Sequence, residues 1–278
     1  MSTPRSTVKR PLSSALSLAA TPSTSSATKL SAAASKSTPL PTSAAQLARC
    51  YPPDPAVHQS AVRSFYHSYR DVASLWRQCN LDCTACVQSV SNQWLQLSEH
   101  ASGDWGVFAQ QPAVRQAVER ETRKQILSSS DAARRCMSDL TECYATLQSV
   151  TRSLHAQHDR WVNTAAVAAA GEELSEQQAE EWLGCPLFDR GSCSMTDFLA
   201  MADELLAMYR KELALKQSML AHILDMPVSG SSVSDVRAVL EQYMSCWTLE
   251  PFLQAARMEE IGRVWQTECP AVATGAAT

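Results

Sequence analysis

Apolar positions recur every seven residues between 62 and 97: Val62, Tyr69, Trp76, Cys83, Val90 and Leu97. Phe65, Val72, Cys79 and Cys86 fall three places after the first four, and only Gln93 interrupts that second series. Together they make the a and d positions of a heptad seam, the pattern of a helix that wraps against other helices. The spacing predicts a helix over about 57–98. Its seam is roughly 50 Å long at ~1.5 Å per residue. Such a rod cannot bury its seam alone. Tyr69, Val72, Trp76 and Val90 present more apolar surface than a short bundle of this chain's own helices needs to cover. The expectation is therefore a helical partner, or failing that a second copy, seated over Trp76 and Val90.

Gly103 and Gly106 break the pattern, and Pro112 suits the first turn of a new helix. Residues 113–127 carry only a thin apolar stripe. Ser130-Asp131 reads as a cap, after which Met137, Leu140, Tyr144, Leu147, Thr151, Leu154, His158 and Trp161 alternate three- and four-residue steps. A helix over about 112–163 follows from this. Residues 164–183 are Ala-rich and then acidic, a connection with room for a short helix capped by Ser175 with Gln178 three places on. The next helix, about 195–225, opens with Ser194 and Asp197 in capping-box spacing. Its apolar residues cover two faces, Leu199, Leu206, Leu213 and Leu220 on one and Phe198, Met201, Leu205 and Met208 on the other. That width places a helix centrally in a bundle. Ser232 and Asp235 repeat the capping spacing before a shorter helix, about 233–249, with Val236, Leu240, Tyr243 and Trp247 in its stripe. Residues 252–268 add one further amphipathic turn or two. The fold class is all-α: an elongated antiparallel helical bundle or coiled coil over 56–268, behind a disordered N-terminal tail, 1–55, and ahead of a disordered C-terminus, 269–278.

Composition changes the picture mainly at the N-terminal end. Residues 1–55 are mixtures of Ser, Thr, Ala and Pro with too few large apolar groups to offset their ordering entropy. Arg5, Lys9, Arg10, Lys29, Lys36 and Arg49 fall in residues 1–53 with no acidic side chain among them. The rest of the chain holds 18 Lys and Arg against 28 Asp and Glu. A core that acidic is a poor match for phosphate backbones, which argues against direct nucleic acid binding. The tail's Ser-rich, acid-free bias is also that of an organelle transit peptide. Its basic residues are sparse and line no single helical face, which favours a plain disordered tail. No stretch has the ~18 continuous apolar residues of a membrane span. Ten cysteines without a secretory signal read as reduced thiols of the cytosol or nucleus. Thr3, Thr21 and Thr38 each precede proline, the minimal requirement of proline-directed kinases, although such pairs also arise by chance in this composition.

Candidate chemistry is thin. Cys79-x-x-x-Cys83-x-x-Cys86 has the spacing with which radical S-adenosylmethionine enzymes hold an iron–sulfur cluster. All three cysteines fall on the heptad seam, however, where a small apolar side chain suits a core, and no strand–helix alternation surrounds them. A zinc site lacks a fourth ligand. His155 and His158 share a face with Asp159 but lack a metal-binding helix motif, so they read as solvated or half-buried. No phosphate loop, nucleophile elbow or kinase motif occurs. The expectation is a non-enzyme with no cofactor and no metal. A structural coiled-coil tether of kinetochore type would fit the first two helices equally well.

Residues 205–216 read Leu-Leu-Ala-Met-Tyr-Arg-Lys-Glu-Leu-Ala-Leu-Lys. This resembles the Leu-Leu-x-Met-Tyr-Arg-Lys-Glu-Leu-x-Leu-Lys segment of the cyclin-dependent kinase 2-interacting protein family. Tyr243, Ser245, Trp247, Pro251 and Phe252 match that family's Tyr-x-Ser-x-Trp-x-x-x-Pro-aromatic pattern, and Pro186-Leu187-Phe188 its Pro-Leu-Phe. The specific likeness covers about 186–253, while the tail, residues 164–183 and the loop at 226–234 look longer than in animal members. The resemblance implies an adaptor bound to a cyclin-dependent kinase or another replication kinase and tied to the DNA damage checkpoint. It also implies a helical subunit that, with a second coiled-coil protein, joins a hexameric AAA-type ATPase in ribosome maturation. The implied location is the nucleus, with the cytoplasm second. Leu205, Met208, Tyr209, Arg210, Lys211, Glu212, Tyr243, Trp247 and Phe252 thereby become candidate partner contacts. The simpler reading keeps Tyr209 in the core and its charged neighbours in solvent, with Glu212 and Lys216 forming a surface pair at i,i+4.

Overall fold

A computed structural model of the chain describes residues 55–103, 105, 110–170, 184–188, 191–226 and 232–269. The readings made for residues 1–54, for most of 164–183 and of 226–234, and for the C-terminus beyond 269 lie outside them, as do Thr3, Thr21 and Thr38. The described residues form five helices and no strand: α1 (Pro55–Ser102), α2 (Pro112–Ala170), α3 (Met195–Leu224), α4 (Val233–Leu249) and α5 (Ala255–Glu268). The fold is all-α, an elongated antiparallel bundle. Among them no helix is long and apolar enough to cross a membrane.

α1 and α2 form an antiparallel hairpin whose register is a fixed heptad ladder. Cys79 meets Cys143, Cys86 meets Cys136 and Gln93 meets Ser129, each rung seven residues further along α1 and seven back along α2. Gln93, the apparent interruption of the seam, donates its amide N–H to Ser129 Oγ at 3.0 Å and so makes its layer a polar one. On α2 the buried heptad runs Ile126, Ala133, Leu140, Leu147, Leu154 and Trp161. It passes Ser130, which is buried in mid-helix, so the cap read at Ser130-Asp131 is corrected: one helix of 59 residues spans both segments. A serine can cap only where a helix starts, and its hydroxyl alone does not make a start.

α3 returns antiparallel to α2, with His155 against Asp203 at 2.9 Å and Thr141 near Gln217. Its start is a complete capping box, Ser194 accepting from the Asp197 N–H and Asp197 from the Ser194 N–H. Ser232 caps α4 by accepting from the Asp235 N–H, without the reciprocal half of a capping box. The chain then runs back along α1 and α3 in two pieces. α4 lies against the late part of α3, with Trp247 at Lys216, and reaches Glu99 of α1 through Arg237. α5 lies against the early part, with Arg257 on Glu204, Trp265 on Phe198 and Phe65, and Glu268 on the Ser192 N–H. α5 is thus a full helix of 14 residues where the sequence suggested a turn or two. α4 and α5 act as one broken fourth helix of an up-down-up-down bundle.

This arrangement corrects the expectation for the seam. Trp76 is 1% exposed and Val90 0%, both within the chain's own core. α2 covers one side of α1, and the broken fourth helix covers another over most of its length. α4 and α5 run end to end, so that together they reach from Glu99 through Trp76 to Phe65 of α1, further than either helix alone.

Candidate functional site

The fourth helix breaks between Leu249 and Ala255, and a break leaves orphan backbone groups on both sides. Two side chains of α3 meet them. Lys216 Nζ donates to the carbonyl of Trp247 at 2.8 Å, one of the last carbonyls of α4. The Phe252 N–H in the connection donates to Glu212 Oε2 at 3.1 Å. The two side chains lie one turn apart and pair with each other, Nζ to Oε1 at 3.3 Å. Both are 0% exposed. Lys216 also stands 3.6 Å from Glu250 Oε1 and 4.9 Å over the Trp247 ring. Glu250 Oε1 in turn accepts from Trp76 Nε1 of α1 at 3.0 Å. One polar chain therefore ties α1, α3, the end of α4 and the connection.

Glu250 is the only described non-glycine residue with positive φ, at 45°. The left-handed conformation is unfavourable for a side chain with a Cβ. It turns the chain out of α4 into Pro251, and its carboxylate bonds offset the cost. Burial raises the Glu212 carboxyl above the usual carboxylate range, opposed by the Phe252 N–H and the Lys216 ammonium.

The candidate contacts from the sequence divide accordingly. Leu205, Met208, Tyr209, Glu212 and Trp247 are buried, with Tyr209 edge-on to Trp76 at 5.0 Å between centroids. Arg210 and Lys211 are exposed on the solvent face of α3, Tyr243 is half-buried, and Phe252 is 40% exposed. The surface-pair reading of Glu212 and Lys216 is corrected, since both face the core. A signal for this existed in the sequence. Phe198, Ala202, Leu205, Tyr209, Glu212, Lys216, Met219 and Ile223 alternate four- and three-residue steps, so the two charges occupy core positions of α3's own heptad.

Above this cluster a cavity of about 940 Å³ opens between α1 and α5. Trp76, Tyr209 and Glu250 form its base; exposed Arg70 and Arg77 on α1 and Met258 and Glu259 on α5 form its walls. Tyr69 and Tyr209 lie side by side, and burial pushes Tyr69 up to about 12 and Tyr209 higher still. Both phenols are therefore neutral at physiological pH. The cavity offers an aromatic floor and a rim of separated charges.

The cysteines of the iron–sulfur spacing lie on α1 with Cys83 buried and Cys79 and Cys86 half-buried, facing α2. Burial pushes Cys83 up to about 12, which disfavours the thiolate a metal requires. No group of three or more potential metal ligands occurs among the described residues. His155 bonds Asp203 across α2 and α3, and His158 lies 3.8 Å from Asp159. Comparison of the sequence with protein-family models and with curated proteins finds no match.

Proposed function

We propose that this chain is a non-catalytic adaptor of the cyclin-dependent kinase 2-interacting protein type, which holds a segment of a partner protein in the groove between α1 and α5. One observation carries the reading. The two stretches that resemble that family, 205–216 and 243–252, fold onto each other through Glu212, Lys216, Trp247 and Phe252. The resemblance is thus attached to one structural unit: two distant segments that need each other to close a broken helix. The groove supports the binding role because its floor is aromatic while its rim is charged, the make-up of a protein-recognition surface. The partners proposed are a cyclin-dependent or other replication kinase and subunits of an AAA-type ATPase, in the nucleus. The closed seam removes the reason for seating a second coiled-coil protein over Trp76 and Val90, and with it the main argument for a tether.

The test is affinity capture from native extract with wild-type protein and with Arg70→Glu/Arg77→Glu. Recovery of an AAA-type ATPase or a kinase by the wild type, reduced at least tenfold by the variant with unchanged circular dichroism, supports the reading. Recovery of neither, or equal recovery by both proteins, rejects it.

A further inference from the structure

The heptad ladder of α1 and α2 places thiols opposite thiols on two consecutive rungs. Cys86 Sγ lies 3.9 Å from Cys136 Sγ, and Cys79 faces Cys143 two helical turns away. Seven-residue spacing on both helices makes the coincidence a property of the register: one matched pair in an antiparallel heptad ladder brings the next into line. The neighbouring rung holds Gln93 and Ser129, also joined side chain to side chain. Cys86 and Cys136 are both half-buried, so a small molecule reaches them, whereas Cys143 is 2% exposed.

We propose that Cys86 and Cys136 are an oxidation site, closed to an interhelical disulfide by a two-electron oxidant of the peroxide class, with Cys79 and Cys143 as a slower second rung. The sulfurs are already in van der Waals contact at 3.9 Å and have to approach to the ~2 Å of a disulfide bond. Each thiol first gives up its proton to solvent. One thiolate attacks a peroxide oxygen; an S–O bond forms, the O–O bond breaks and hydroxide leaves, taking up a proton to become water. The second thiolate then attacks the sulfenic sulfur; the S–S bond forms, the S–O bond breaks and a second hydroxide leaves and is protonated to water. Two thiols are oxidised by two electrons and one peroxide is reduced. A dithiol reverses the step by exchange. Burial, Cys86 itself and the carboxylates of Asp139 and Asp82 push Cys136 up to about 11. The pair therefore stays reduced under brief exposure at neutral pH and closes under sustained exposure. The bridge covalently pins the middle of the α1–α2 hairpin.

The experiment treats the reduced full-length chain with hydrogen peroxide, blocks remaining thiols with iodoacetamide and maps linkages by non-reducing digestion and mass spectrometry. The expected product is an intramolecular Cys86–Cys136 link, lost in Cys136→Ser and retained in Cys246→Ser. The melting midpoint should rise by roughly 5–15 °C and return on adding dithiothreitol. Should Cys136→Ser fold poorly, Cys86→Ser provides the same loss from the opposite helix. The proposal is overturned if no such link forms, if links form only between chains, or if the same link forms as fast in urea-unfolded protein.

Discussion

Replacing Lys216 by Met is the sharpest probe of the broken fourth helix. Methionine keeps an unbranched, flexible apolar stem, one atom shorter than that of lysine, but removes the ammonium and its place over the Trp247 ring. The Trp247 carbonyl then loses its donor, and Glu212 is left 0% exposed with only the Phe252 N–H opposite it. Leaving one partner of a buried ion pair uncompensated costs about 3–5 kcal/mol. An exposed pair at the same i,i+4 spacing contributes only about 0.2–0.5 kcal/mol, so the size of the effect decides between a surface and a core pair. For a domain of this size the loss corresponds to a fall in melting midpoint of roughly 6–20 °C. The double variant Glu212→Gln/Lys216→Met should recover most of it, because the neutral amide oxygen still accepts from Phe252 and no charge is stranded. Burial raises the Glu212 carboxyl, so its contribution to stability is fullest below the unfolded carboxylate range and is lost as pH rises through its own higher range. Glu212→Gln removes that slope. Thermal and urea denaturation followed by circular dichroism measure all three variants. A change below about 1 kcal/mol in Lys216→Met would refute the argument, since it is the value of a solvated pair.

Further expectations concern the rest of the bundle. Trp76→Asp/Val90→Asp should abolish cooperative unfolding and most helical signal, because both side chains lie in the core; retained helicity with lost association would restore the partner-seam view. Arg257→Ala should lower the melting midpoint modestly at pH 7, since the pair with Glu204 is partly exposed. Arg257 holds the Glu204 carboxyl below its usual range, so the difference between wild type and variant should shrink as pH falls through that range; a gap that widens on acidification contradicts the assignment. Ser194→Ala should cost about 1 kcal/mol by opening the capping box, read from urea midpoints.

The helices themselves were legible because α1 keeps an almost unbroken heptad and α3 and α4 carry their caps in plain view at Ser194 and Ser232. Register was not legible: nothing in the sequence of α1 says that Cys86 faces Cys136. α5 is faint in the sequence because only Ile261 and Trp265 are buried on it, too few to make a stripe. Its position comes from distant contacts, Trp265 on Phe65 and Arg257 on Glu204. The charge of Glu212 and Lys216 points to solvent while their position points to the core. Their heptad phase pointed inward, and the backbone groups that make burial tolerable lie 31 to 40 residues away.

The break at Glu250 also divides the molecule in time. A continuous fourth helix would open only as a whole, whereas α5, at 14 residues, is too short to persist as an isolated helix in water. It is held by Trp265, Ile261, the Arg257–Glu204 ion pair and the Glu268 bonds to Ser192, so it can detach while α1, α2 and α3 stay packed. Amide hydrogens of 255–268 should accordingly exchange with solvent orders of magnitude faster than those of α1 around Cys83, as an opening unit of its own. Each such opening uncovers Phe65 and Phe198 and removes one wall of the groove. Whatever occupies that groove then binds only the closed population, and by mass action it slows exchange in α5 before any other helix responds.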